Sequence, residues 1–131
     1  ICESMDIKLI FFDDENVIKT SCYNPLNLEG NEPPEWNFRN CYPANNCLQL
    51  YNGKLYTCFE PAYIRHFNKF FNKNITVSVN DYIDIHEARN YQEVLQFLAK
   101  PIPFCKYCDV KNRKDGITWK TSTKGIEEYI E

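Results

Sequence analysis

Hydrophobic and polar positions alternate along this chain in blocks that change period several times. Ile7 to Phe12 and Val17 to Tyr23 are β-prone runs separated by Asp13-Asp14-Glu15-Asn16, a pattern that predicts a hairpin or two neighbouring strands. From Asn24 to Asn40 the periodicity breaks. Pro25, Gly30, Pro33 and Pro34 predict an irregular connector, tacked down by Trp36 and Phe38. Short alternating runs then flank Asn52-Gly53, the dipeptide that best suits a two-residue hairpin because both turn residues take positive φ. With that turn, Leu50 faces Leu55 and Cys47 lies across from Cys58.

Helical spacing takes over after Pro61, with Ile64, Phe67, Phe70 and Phe71 on a helix of about ten residues. Thr76 to Ile85 reads as a short strand or extended segment. Asn90 and Glu93 form a capping box ahead of Tyr91, Val94, Leu95 and Leu98, and Pro101 ends this second helix. Pro101 and Pro103 stiffen the approach to Cys105-Lys-Tyr-Cys108, a tight knuckle. A solvated basic run, Lys111 to Lys114, precedes a Ser/Thr cluster suited to cap a last helix from Thr123 to Ile130. The sum is an α+β chain: N-terminal strands, a cysteine-bearing hairpin, two amphipathic helices, a CxxC knuckle and a C-terminal helix.

Composition narrows the function classes. At 131 residues, 44% apolar, 15% aromatic and a formal charge of −3, the chain has a globular composition and no basic surface for nucleic acid. A domain of this length buries enough surface to fold on its core alone. Its longest apolar runs are interrupted, as Ile7 to Phe12 is by Lys8, and fall short of a membrane span. The pattern of a cleavable signal peptide is not seen. Ile1 in place of Met leads us to expect a piece of a longer polypeptide or a processed product.

The seven cysteines carry the candidate chemistry. Cys2 and Cys22 stand apart and read as buried small apolar residues. Cys41, Cys47 and Cys58 surround the Asn-Gly turn, and Cys105 and Cys108 form the CxxC. Thiolates gathered from distant segments are how a chain in a reducing compartment holds a soft metal or an iron–sulfur cluster. Directly opposed strand positions lie about 4.5 to 5.5 Å apart at Cβ, which suits Cys47 and Cys58 as two ligands of one centre or, in an oxidising setting, as a disulfide. The sequon Asn74-Ile75-Thr76 is the one feature that favours secretion. A thioredoxin-type dithiol needs a strand-to-helix setting, which the Pro-rich approach to Cys105 lacks. His66 and His86 read as surface or packing residues, and the adjacent carboxylates Asp13-Asp14 and Glu127-Glu128 as solvated. There is no Gly-rich phosphate loop, Ser-His-Asp order or metalloprotease motif.

The segment Cys41-Tyr-Pro-Ala-Asn-Asn-Cys47-Leu-Gln-Leu-Tyr-Asn-Gly53-Lys-Leu-Tyr-Thr-Cys58, followed by Cys105-Lys-Tyr-Cys108, resembles the C-terminal auxiliary-cluster (SPASM/twitch) region of radical S-adenosylmethionine enzymes. Eleven residues separate Cys41 from Gly53, four separate Gly53 from Cys58, and 46 separate Cys58 from Cys105. Asn24 to Gly30 and Asn37 to Cys41 resemble the end of the partial barrel that precedes such modules, so the similarity covers residues 17 to 109. The resemblance implies that Cys41, Cys58, Cys105 and Cys108 ligate one 4Fe-4S cluster. Some members also use a cysteine six positions after the first, so Cys47 competes and five thiols stand for four iron sites. It further implies a division into 1–40 as the end of an upstream domain and connector, 41–109 as the cluster module and 110–131 as a tail.

Two departures bound what the resemblance implies. The CxxxCxxC of the catalytic cluster is missing, so this chain alone is not expected to cleave S-adenosylmethionine; its implied partner is an upstream catalytic domain. Residues 109 to 131 carry no cysteine, so one cluster is the ceiling. The implied role is electron transfer or substrate anchoring beside a radical reaction on a peptide or small metabolite, in the cytoplasm. A structural zinc module built on the same thiols, and a disulfide-linked extracellular domain, are the alternative readings.

Overall fold

The computed structural model describes residues 20 to 130. The run Ile7 to Phe12, its connection and the first three residues of the run Val17 to Tyr23 lie outside them. The fold is α+β, with a two-stranded and a three-stranded sheet set among helices. Strand β1 (Thr20–Tyr23) pairs antiparallel with β5 (Lys114–Thr118), matching Thr20 to Thr118 and Ser21 to Ile117 before the register shifts towards Tyr23 and Lys114. The basic run expected to be a solvated tail thus leads into a strand. The reason is tertiary: β1 offers an edge, and Gly116, at φ +65°, adapts the chain to it.

The stretch Asn24 to Asn40, expected to be an irregular connector, supplies helix α1 (Pro34–Asn40), and a second short helix, α2 (Tyr42–Asn46), follows it directly. Pro34 and Pro43 sit in their first turns, where a missing N–H costs nothing. Prolines thus start helices here. Phe38 of α1 enters the main core, and residues 25 to 32 run beside the CxxC knuckle through backbone hydrogen bonds: Asn27 N–H to the Tyr107 carbonyl at 2.8 Å, Asp109 N–H to Pro25 at 2.8 Å and Glu32 N–H to Lys106 at 3.1 Å.

The Asn-Gly hairpin is present. Strands β2 (Gln49–Tyr51) and β3 (Lys54–Tyr56) pair with Leu50 opposite Leu55, and Asn52 and Gly53 take φ of 49° and 74°. β4 (Ile83–Asp84) joins the outer edge of β3. The helix after Pro61 is α3 (Glu60–Phe71), ended by left-handed Asn72. Asn68 then folds the chain back, its side chain bonding both the carbonyl and the N–H of Ile75. Ile64 and Phe67 are buried, whereas Phe70 is 63% exposed. In α4 (Tyr91–Leu98) the Asn90 side chain caps Glu93 N–H at 3.0 Å, but the Glu93 carboxylate accepts from Arg89 rather than completing the box. The last helix, α5 (Glu127–Ile130), is shorter than the expected span from Thr123, and Tyr129 lays its ring against Phe67 and Phe71.

One core joins these pieces. Phe38, Ile64, Phe67, Ile75, Ile102, Phe104, Tyr107 and Val110 pack together with Cys41, Cys105 and Cys108 among them. Among the described residues, no helix is long and apolar enough to cross a membrane.

Candidate metal centre

The C-terminal end of α1 delivers Cys41, the exit of β3 delivers Cys58, and the 3-10 turn Pro103–Tyr107 delivers Cys105 with Cys108 just beyond it. All four are buried, and all four line one small apolar cavity together with Ala44, Phe104 and Val110. Segments up to 67 residues apart thereby line one cavity. Cys47 behaves differently. The hairpin ladder stops at Gln49 and Tyr56, so the pairing that would set Cys47 opposite Cys58 is not continued, and Cys47 is exposed at the end of α2. None of the six described cysteines forms a disulfide, and Cys22, expected to be buried, is exposed on β1, whose short pairing with β5 leaves it open.

Two buried polar residues hold the knuckle in place, and the spacing argument did not find them. Asn37, 1% exposed, donates from Nδ2 to the carbonyls of Cys105 (2.8 Å) and Cys108 (2.5 Å), so α1 clamps the turn that presents both sulfurs. Asp81, also 1% exposed, accepts Phe104 N–H on Oδ1 at 2.6 Å while its Oδ2 accepts from Ser78 N–H and Oγ. Ser78 and Asp81 form a capping box three residues long, a signal present in the sequence. Asn37 carries no such local signature. Its role depends on a partner 68 residues away.

Burial dominates the electrostatics. It pushes the thiols of Cys58 and Cys108 well above their ordinary range, with the Glu60 carboxyl the next largest influence on each. Cys105 is raised to about 11 by the same desolvation, against a lowering backbone hydrogen bond from Ile102. Cys41 is raised by burial and eased by hydrogen bonds from the Ala44 backbone and from Asn24 Nδ2, the latter at 3.4 Å from Sγ. Glu60, at the start of α3, is raised by burial and hydrogen-bonded to the Cys58 thiol. The resting cavity therefore holds neutral thiols in apolar surroundings, and a cation is the agent that would draw their protons off.

The cavity has a volume of about 10 Å³, room for about one water-sized sphere. As they stand, no three His, Cys, Asp or Glu side chains among the described residues form a metal-binding group, so the four thiols share a cavity rather than a coordination sphere. The donor set is nonetheless of the right kind: four soft sulfurs among apolar side chains, with the Glu60 carboxyl and the Asn37 amide completing the lining. His66 and His86 are exposed and lie elsewhere, His66 beside Arg65 and His86 over Gly53. Comparison with protein-family models, with curated proteins and with solved structures finds no significant match to this chain.

Proposed function

We propose that Cys41, Cys58, Cys105 and Cys108 hold one metal centre, and that the centre is the 4Fe-4S auxiliary cluster implied by the resemblance to radical S-adenosylmethionine enzymes. The observation that carries this reading is the burial of these four thiols, from three separate segments, around one cavity. A cluster there would supply electron transfer or anchor a substrate, working for a catalytic domain that the CxxxCxxC motif would mark. Substrates of the implied class are peptides or small metabolites. A metal centre held by thiolates requires them unoxidised, so the proposed location is a reducing compartment, the cytoplasm.

A single zinc ion is the second reading, and the size of the cavity favours it: about 10 Å³ is nearer to one ion, for which the four sulfurs would draw together, whereas an iron–sulfur cube requires the walls to part. Its role would then be to staple the fold or a partner surface.

Anaerobic purification followed by iron, sulfide and zinc analysis decides between them. The cluster reading expects a brown protein with iron and sulfide in equal amounts, and the zinc reading a colourless one. Alanine at 41, 58, 105 or 108 should each abolish stoichiometric metal, while Cys47→Ala keeps it. Metal retained in all five variants would falsify thiol ligation altogether.

A further inference from the structure

Among the four buried thiols, Cys41 is set apart by what bonds its sulfur. Asn24 donates from Nδ2 to Cys41 Sγ at 3.4 Å, and the pair is buried, with Asn24 only 8% exposed. The Ala44 backbone adds a second hydrogen bond to the same sulfur. Among the described residues the other three thiols have no side-chain donor. Cys105 is bonded by the Ile102 backbone, the Cys58 thiol is bonded to the Glu60 carboxyl, and only burial and neighbouring charges act on Cys108.

The backbone fixes where that donor stands. Just beyond Asn24, the Pro25 carbonyl accepts Asp109 N–H at 2.8 Å and Leu26 forms an antiparallel bridge to Cys108, so the segment carrying the amide is tied to the exit of the knuckle. Asn24 does not line the thiol cavity. It reaches the sulfur from behind the cavity wall and leaves the inward side of Cys41 for a metal. A neutral thiol is a weak acceptor, whereas a thiolate makes a charge-assisted bond about twice as strong as a neutral one, and burial keeps water from competing for it. The amide therefore favours the ligated form of Cys41 over the free thiol.

We propose that Asn24 is a positioning residue of the metal centre: by donating to Cys41 Sγ it stabilises the thiolate and draws electron density from the sulfur, making Cys41 a weaker electron donor to the metal than it is without that bond. This rests on the reading of Cys41, Cys58, Cys105 and Cys108 as ligands, and it holds for zinc and for a cluster alike. In a cluster, hydrogen bonds to the sulfurs help to set the reduction potential, and this one would raise it.

Cobalt(II), which reports its ligands through sulfur-to-metal charge-transfer absorption, is the probe. The purified chain, reduced and stripped of metal, is loaded with cobalt(II) under anaerobic conditions. The unaltered chain should take up one cobalt and show a thiolate charge-transfer band. Asn24→Leu, similar in volume but without the donor, should also take up one, with that band moved to longer wavelength because the unbonded sulfur gives up its electron more readily. A band that stays in place in the loaded variant overturns the proposal and leaves thiol ligation standing. An unaltered chain with no thiolate charge transfer overturns the ligation itself, and the proposal with it. Should Asn24→Leu fail to fold or to bind cobalt, the unaltered chain loaded with a magnetic cadmium isotope decides by NMR. Scalar coupling between the metal and an Asn24 side-chain amide proton, carried through the N–H···S bond, is expected; a resolved amide signal without it overturns the proposal.

Discussion

Gly30 and Gly116 both adopt left-handed backbone, at φ +63° and +65°, yet they are not equivalent. A Cβ at 116 would meet nothing within 4 Å, so Gly116→Ala costs only the conformational strain, about 1–2 kcal/mol. A Cβ at 30 would lie 2.4 Å from Cε1 of Tyr107, a buried ring packed on Phe104 and hydrogen-bonded to Thr76. That ring cannot swing aside without disturbing the knuckle, so Gly30→Ala adds an overpacking cost of about 1–3 kcal/mol. Urea unfolding of the two variants should separate them by that margin. Equal losses would mean that Tyr107 is free to move. Glu128 supplies a test in pH at the same scale. Its carboxylate accepts from Ser122 Oγ (2.5 Å), Thr123 N–H (2.6 Å) and Thr123 Oγ1 (2.8 Å), which lowers it from 4.5 to about 2. Because the folded value is the lower one, the stabilisation is complete above the ordinary carboxylate range and is lost as pH falls through about 2. Carbon-detected titration of Glu128 should show that depressed midpoint, and Ser122→Ala should raise it; an ordinary midpoint in the unaltered chain contradicts the geometry.

At the scale of elements, α4 is the clearest case of a helix set by its own sequence. Asn90 caps it, and Glu93 is held from the preceding residue by Arg89, an exposed contact. Exposed ion pairs contribute little, so the cap decides: Asn90→Ala should cost about 1 kcal/mol and Arg89→Ala less than about 0.5 kcal/mol, measured by thermal unfolding. A larger loss at Arg89 would reverse that ranking. Elements with such local instructions could be read in advance. The Asn52-Gly53 turn, the Pro61 start of α3 and the Asn90 cap all act within a few residues. The elements that escaped prediction depend on partners far away: β5 forms because β1 lies alongside, and α1 and α2 begin at prolines whose helical use shows only when Phe38 finds its core. The thiol site divides along the same line. Cys41, Cys58, Cys105 and Cys108 are the set that the resemblance implied, with Cys47 kept beside them because spacing alone does not choose four of the five, whereas Asn37 and Glu60 reach the cavity only through packing across the fold. Cys47 was drawn in by extending the hairpin ladder beyond the point where α2 interrupts it.

For the molecule as a whole, the described fold has small sheets, short helices and a core in which three thiols pack among aliphatic and aromatic side chains. Ile102 and Phe104 are the most completely buried apolar residues, at 2% and 1%, and both flank the knuckle. The cavity beside them sits where α1, the hairpin exit and the knuckle meet, so whatever fills it ties three otherwise separate segments together. An ion or cluster bound there would act on folding as a ligand acts on any equilibrium, stabilising the native state by about 4 kcal/mol when present at a thousand times its dissociation constant. For a chain of this length that corresponds to a rise in melting temperature of more than about 10 °C. The metal-loaded protein should therefore melt well above the chelator-treated one. Cys47→Ala should show the full difference and Cys105→Ala none. A melting temperature insensitive to chelation in the unaltered chain would mean that the buried thiols serve the core as they stand, without metal.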